Sequence, residues 1–211
     1  MARYTGPREK IERRIGEKLS LKGERSLSPK AALTRRPYPP GVHGQGRPRK
    51  LSEFGQQLRS KQKVRNTYRL LERQFKNYIK AALELKGQPF DSILQALEHR
   101  LDNVVYRAGF AQSRDQARQL VNHGHILVNG RKVGIPSYQT KTGDTVTVRE
   151  GSKRSPYFST LMPVWLKNYQ SPQWLTLDTG GPVATVKGSP ALADSGVKLE
   201  DLQAIVEYYS R

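Results

Sequence analysis

The sequence predicts an α+β protein. Its parts are a basic N-terminal extension over residues 1–50, a helical domain over 51–92 completed by a C-terminal segment over 152–211, and an inserted module over 93–151. Three observations carry this reading. Apolar residues recur at three- and four-residue steps from Leu51 to about Leu85 and again from Leu94 to Val105, as in amphipathic helices. Asn129-Gly130, a pair that favours positive φ at both centres of a type I′ turn, separates Ile126-Leu127-Val128 from Arg131-Lys132-Val133. Thr145-Val146-Thr147-Val148 alternates with the period of a strand after the turn Lys141-Thr142-Gly143-Asp144. The module over 93–151 therefore reads as helices packed on a small antiparallel sheet.

Charge sets the class of partner. The 211 residues carry a net charge of +19, which points to nucleic acid or an anionic membrane surface. In residues 1–80, Lys and Arg outnumber Asp and Glu by 22 to 6, against 15 to 12 in the remainder, so the basic footprint lies mainly in the N-terminal part. No cysteine is present, which excludes disulfides, thiolate zinc sites and a cysteine nucleophile. Nothing at the start resembles a signal peptide and no run of about 18 apolar residues occurs, so a soluble, unexported protein is expected.

Residues 1–50 hold few large apolar side chains and are expected to be flexible until a partner orders them. Within them, Arg35-Arg36-Pro37-Tyr38-Pro39-Pro40-Gly41 joins a phosphate-seeking pair to a stiff proline run and a ring that could stack on a base. The same stretch would also suit an adaptor that reads proline-rich ligands. From Leu51 to about Leu85 one helical pattern places Val64, Tyr68, Leu71, Phe75 and Tyr78 or Ile79 inward, and leaves Arg59, Lys61, Lys63, Arg65, Arg69, Arg73 and Lys76 as candidates for phosphate contact. A membrane-surface helix has a similar pattern, but Glu72, Glu84 and the wide aromatic stripe favour packing within a domain.

Gly87, Pro89 and Asp91 break the pattern, and a second helix from Asp91 or Ser92 buries Leu94, Leu97, Leu101, Val104 and Val105. The next begins after Ser113, whose hydroxyl with Gln116 forms a capping box, and ends at Gly124. With Ala117, Leu120 and Val121 turned inward, Arg114, Arg118 and Asn122 share another face, where both arginines are expected to be exposed and replaceable without loss of fold. Arg131 and Lys132 leave the hairpin beside them. Beyond Ser152, Trp174-Leu175-Thr176-Leu177 and Ala204 to Tyr209 read as short strands among scattered prolines, in a tail packed back on the helices.

Chemistry for catalysis is missing. Gly44-Gln45-Gly46 completes neither a dinucleotide fingerprint nor a phosphate loop, and no acid, base and nucleophile assemble. His123 and His125 have no third ligand nearby, so no metal, cofactor or small-molecule substrate is expected. Arg100-Leu101-Asp102 is like the motif around the catalytic aspartate of pseudouridine synthases, but its helical setting favours a structural role. An RNA-modifying enzyme with this module as a targeting arm is the rival reading.

Three stretches together resemble a known family: Arg35 to Gly44, Arg100 to Arg107, and Ser113 to Ile126 look like the bacterial small-subunit ribosomal protein S-four family. The similarity runs from Arg3-Tyr4 to Glu207-Tyr208-Tyr209-Ser210-Arg211 and covers nearly the whole chain. It implies that the module over 93–151 is the RNA-binding domain of that family. It also implies a cytoplasmic, non-enzymatic protein of the small ribosomal subunit that binds the 5′ domain of 16S rRNA early and nucleates assembly. Further implied are an interface with protein S-five, a share with S-five and S-twelve in decoding accuracy, a place where mRNA enters the subunit, and binding to the message of its own operon. The rRNA contacts carried over are Arg35, Arg36, Tyr38, Arg114, Arg118, Arg131 and Lys132, with Arg47, Arg49, Lys50, Arg59, Lys61, Lys63, Arg65, Arg69 and Arg73. Zinc-binding members carry four N-terminal cysteines; here Glu9, Glu12, Ser26 and Ala31 stand at those positions, so the resemblance implies a zinc-free form.

Overall fold

The computed structural model describes residues 4–47, 50–85, 87–178 and 181–210, which divide into two compact units: residues up to 93 with 197 onward, and residues 94–196. Arg49, one of the expected contacts, lies outside the described residues.

The first unit begins with three short helices, α1 (Arg8–Ile15), α2 (Glu24–Leu27) and α3 (Ala32–Arg35). Within the stretch expected to be flexible until a partner orders it, these helices form a folded knot that one buried carboxylate closes. Glu12, 1% exposed, accepts from the backbone N–H groups of Leu19 and Leu21 at 3.2 Å each, above a small cluster of Ile15, Leu19 and Leu21. The residues standing where cysteines would bind zinc serve this knot instead. Glu9 pairs with Lys22 and Arg25, the Ser26 hydroxyl accepts from Lys22 N–H at 3.0 Å, and Ala31 is buried without a donor atom. These side chains do not fit a zinc ion. Glu12→Ala would leave two buried N–H groups without their acceptor and should cost about 2–6 kcal/mol at roughly 1–3 per group. Hydrogen exchange at Leu19 and Leu21 checks this, and both amides should lose their protection.

The rest of the unit is α4 (Glu53–Thr67), α5 (Glu72–Glu84), the start of α6 (Pro89–Glu98) and α12 (Leu199–Ser210). Ser52 caps α4 by accepting from Gly55 N–H at 3.2 Å. The single helix expected from Leu51 to Leu85 is broken at Tyr68 to Leu71, where Arg69 takes φ +56°. The break turns α5 so that Phe75 and Ile79 are fully buried, each burial being worth about 1.5–3 kcal/mol. The strand expected at Ala204 to Tyr209 is helix: Leu202 and Ile205 are three apart and buried, and α12 lies along α4. Its ties to α4 and α5 are Gln57 to Glu207 at 3.0 Å, Lys63 to Asp201 at 2.8 Å, and the Tyr209 hydroxyl to Glu72 at 3.0 Å.

In the second unit α6 ends at Glu98 and α7 (Leu101–Arg107) follows, packed on α8 (Arg114–Asn122). The first N–H groups of α7 donate to the Tyr138 and Pro136 carbonyls, at 2.8 and 3.1 Å. Strands β1 (Ile126–Val128), β2 (Arg131–Lys132), β3 (Thr145–Val148), β4 (Leu175–Asp178) and β5 (Val183–Val186) make one antiparallel sheet in the order β2-β1-β3-β5-β4. Ile126, Val128, Val146, Val148, Ala184 and Val186 bury its inner face against Val104, Val105, Ala117 and Val121.

The compact unit that holds the module expected over 93–151 runs on to Gly196. The segment from α9 (Glu150–Lys153) through a π-helical turn at Tyr157–Leu161 into α10 (Met162–Leu166) supplies three aromatic donors to the end of α7. Tyr157 reaches the Phe110 carbonyl at 2.7 Å, Trp165 that of Gly109 at 2.8 Å and Tyr169 that of Arg107 at 3.0 Å. Gly109, at φ +75°, must lack a side chain, since a Cβ there would lie 2.7 Å from the Tyr169 ring. A short helix α11 (Leu192–Ser195) closes the unit.

Candidate nucleic-acid interface

The hairpin between β1 and β2 is the most firmly built projection of the second unit. Asn129 and Gly130 take φ +50° and +77°, the type I′ geometry, and Val128 opposes Arg131 directly. The Asn129 side chain locks the turn to the loop before β3, donating to Asp144 at 2.8 Å and accepting from Thr145 N–H at 2.9 Å. Arg131 and Lys132, both exposed, therefore leave a rigid base. Lys132 runs its stem over Gly124, where a Cβ would collide with it; the glycine is needed both for φ +72° at the end of α8 and for this passage. His125 beside them hydrogen-bonds through Nδ1 to the Ser152 hydroxyl at 2.9 Å, and burial, then His123 and Arg149, hold its pKa below the usual histidine value.

Arg114 and Arg118 are not on an outward face. Arg118 is 4% exposed and grips Asp102 with Nε and Nη2 at 3.1 and 2.9 Å. Arg100, fully buried, holds the same carboxylate at 3.1 and 2.7 Å. Asp102 thus bridges two guanidinium groups in the core, which is the structural role expected of Arg100-Leu101-Asp102. Arg114 donates to Asn103 at 2.8 Å and lies 4.6 Å above the Tyr106 ring, while Asn103 and Arg107 bind the buried Glu98. Ser113 caps α8 through Gln116 N–H at 3.3 Å, but the Gln116 side chain accepts from Gln112 N–H rather than completing a capping box.

On the first unit the expected residues divide in the same way. Lys61, 5% exposed, pairs with Glu72 at 2.7 Å and sits 4.4 Å from the centre of the Tyr208 ring. Lys63 lies between Glu17 and Asp201 at 2.7 and 2.8 Å; burial opposes its charge, but these two partners outweigh it and raise its pKa. Arg65 stands 3.6 Å from Glu72, Arg69 stacks on Tyr4, and Arg59 donates to the Ile15 carbonyl. Of these five Arg59 stays exposed, while Lys61, Lys63 and Arg65 on α4 are taken up by the carboxylates of Glu72, Glu17 and Asp201.

Arg35, Arg36, Arg47, Lys50 and Arg73 are exposed. Arg73 belongs to a stripe with Lys76 and Lys80 along the outer side of α5, opposite Phe75, Ile79 and Ala82. Sequence reasoning passes over two cations here. Lys80, seven residues beyond Arg73, is legible from the helical period that places Arg73 and Lys76 on one face. Arg13 carries no such signal. It donates to the carbonyls of Arg36, Tyr38 and Pro39 at 3.2, 3.1 and 3.4 Å, and its guanidinium lies 4.9 Å from the centre of the Tyr38 ring. The proline stretch is thereby fixed to α1, and one face of Tyr38 is already covered.

Among the described residues no His, Asp or Glu cluster is arranged to hold a metal, and no helix is long and apolar enough to cross a membrane. The interface is built of cations on rigid supports, which suits a folded polyanion.

Residues 3–98 match the family described as Ribosomal protein S4/S9 N-terminal domain, and residues 99–146 match the S4 domain. Curated relatives named small ribosomal subunit protein uS4 align over the full length of both chains. Those of Geotalea daltonii and Geobacter sp. strain M21 are 50% identical over 211 residues, and that of Thermotoga petrophila is 48% identical. A likeness of this extent, covering both units and the cationic hairpin between β1 and β2, shows that the chain belongs to the uS4 family of small ribosomal subunit proteins.

Proposed function

We propose that the protein binds 16S rRNA directly, within its 5′ domain, and in doing so nucleates assembly of the body of the small subunit. As a family member it is a structural component of the ribosome and not an enzyme. The observation that carries the finer reading is the placement of exposed cations on stiff supports. Arg131 and Lys132 leave a locked hairpin, and Arg35 and Arg36 a proline stretch tied to Arg13. Rigid supports of this kind, one on each unit, each select the local shape of a folded RNA, while their charges displace counterions and supply most of the affinity.

The contact set is Arg35, Arg36, Arg47, Lys50, Arg73, Arg131 and Lys132, joined by Lys76 and Lys80. Tyr38 offers its remaining face and Arg59 its exposed side chain, while Lys61, Lys63, Arg65, Arg69, Arg114 and Arg118 position the backbone beneath. An interface with S-five, a contribution with S-five and S-twelve to decoding accuracy, a position beside incoming mRNA and binding to a folded leader of its own message belong to the same reading. Equilibrium binding to the isolated 5′ domain across a salt series with excess tRNA tests it. Tight binding that survives the competitor supports a shape-specific site, and binding that collapses leaves only a promiscuous basic protein.

A further inference from the structure

A cationic corner lies at the foot of the hairpin between β1 and β2, and the contact set above takes only Lys132 from it. His123 and His125 flank Gly124, with their ring centres 6.0 Å apart. The Lys132 stem crosses that glycine and brings its ammonium to 2.9 Å from where a Gly124 Cβ would stand. Arg149 joins them from the end of β3, its N–H donating to the His125 carbonyl at 2.8 Å. The end of α8, the start of β1, β2 and the end of β3 thus gather four basic side chains. His123, Lys132 and Arg149 are exposed, and His125 is half-buried.

His125 is the member held most firmly. Its Nδ1 meets the hydroxyl of the buried Ser152 at 2.9 Å and its ring packs against Phe158, 5.8 Å between centres. A hydroxyl can donate or accept, so this bond survives when the imidazole gains a proton. Its Nε2 meets no partner among the described residues and is not sealed from solvent. The charged groups acting on the ring are His123 and Arg149, and both oppose a positive charge there. Of the other elements packed beside it, β2 adds a third cation in Lys132, the π-helical turn presents apolar Phe158, and α9 brings Glu150 and Lys153, which pair with each other at 2.7 Å. Among the described residues no carboxylate pairs with any of the four basic groups. We propose that this corner grips an RNA phosphate and that His125 takes up a proton from solvent as it does so, which makes RNA affinity depend on pH. The proposal rests on the RNA-binding reading above and adds a regulation of that surface. A phosphate oxygen beside Nε2 favours the charged imidazole, whereas in the free protein burial and the neighbouring cations disfavour it. The proton is therefore bound more tightly in the complex. Its contribution to affinity is complete below the free protein's pKa, which lies under the usual histidine value, and is lost as pH rises through the higher value of the complex.

The test is filter binding of the full chain to the 5′ domain RNA at fixed salt and varied pH. Affinity should fall about five-fold between a pH of about 6 and one of about 8, the size expected when a single site gains one proton on binding. His125→Gln should bind at every pH as the unsubstituted protein does at the alkaline end. His43→Gln, at an exposed histidine on the other unit, should keep the full pH dependence. Arg149→Gln should weaken binding about three-fold and lower the slope of log K against log salt by roughly 0.7–0.9, as one lost phosphate contact does. Circular dichroism at each pH verifies that the variants are folded. If the RNA binds with the same affinity at both ends of the range, or if His125→Gln keeps the pH dependence, His125 takes up no proton and the RNA-binding reading stands. Wild-type affinity and slope in Arg149→Gln would remove the phosphate from this corner. If the unsubstituted protein fails to bind the RNA at any pH, that reading falls and the proposal falls with it.

Discussion

Asp102→Ala is expected to destabilise the second unit by about 3–5 kcal/mol, the usual cost of removing one partner from a buried ion pair. The carboxylate is 4% exposed and receives four hydrogen bonds from Arg100 and Arg118, themselves 0% and 4% exposed. Its loss takes from two buried guanidinium groups the carboxylate they share, where desolvation makes each lost charge partner far costlier than at the surface. Arg118→Ala should cost less, since Asp102 keeps Arg100. Urea unfolding followed by tryptophan emission reads this unit alone, because Trp165 and Trp174 both lie within it. A shift below about 1 kcal/mol would mean that water or a rearranged side chain replaces the carboxylate, and the network would lose its place as the centre of this core.

Local signals were legible where the chain's own backbone geometry decided the outcome. Asn129-Gly130 gives a type I′ turn because few other residues accept positive φ twice in succession, and Ser113 caps α8 because a hydroxyl there meets Gln116 N–H whatever surrounds it. Periodicity likewise placed Phe75, Val104 and Val105 inside, and packing decided between Tyr78 and Ile79 in favour of Ile79. What failed depended on partners far off in sequence. Arg118 is 16 residues from Asp102, Lys63 is 138 from Asp201, and nothing near either cation says that a carboxylate will come to cover it. The packing of α1 to α3 turns on Glu12, which reads as one more surface charge until Leu19 and Leu21 bring their N–H groups to it. The pairing of β3 with β5 joins Thr145 to Thr185 across the segment read as tail, and no local pattern marks so distant a register. Arg69 breaks the helical run without glycine or proline, in response to packing rather than propensity.

That division between buried and exposed cations makes RNA affinity separable from stability. Replacing Arg131 and Lys132 by Ala should lower affinity for the 5′ domain about ten-fold near 0.1 M salt, and reduce the slope of log K against log salt by roughly 1.4–1.8, at 0.7–0.9 for each phosphate no longer neutralised. Replacing Arg35 and Arg36 should do the same. The two pairs lie on different units and share no hydrogen-bonded partner, so their effects should multiply to about a hundred-fold with a combined slope change near 3. All four residues are exposed, and substitutions at such positions usually stay within about 0.5 kcal/mol, so unfolding curves should be unchanged. Filter binding over roughly 0.05 to 0.5 M salt measures both quantities. Loss of affinity with an unaltered slope would mean that these side chains act through shape rather than charge. Affinity and slope both unchanged would move the phosphate-binding surface to Arg73, Lys76 and Lys80 on α5, the other exposed cationic stripe that the fold builds on a rigid support.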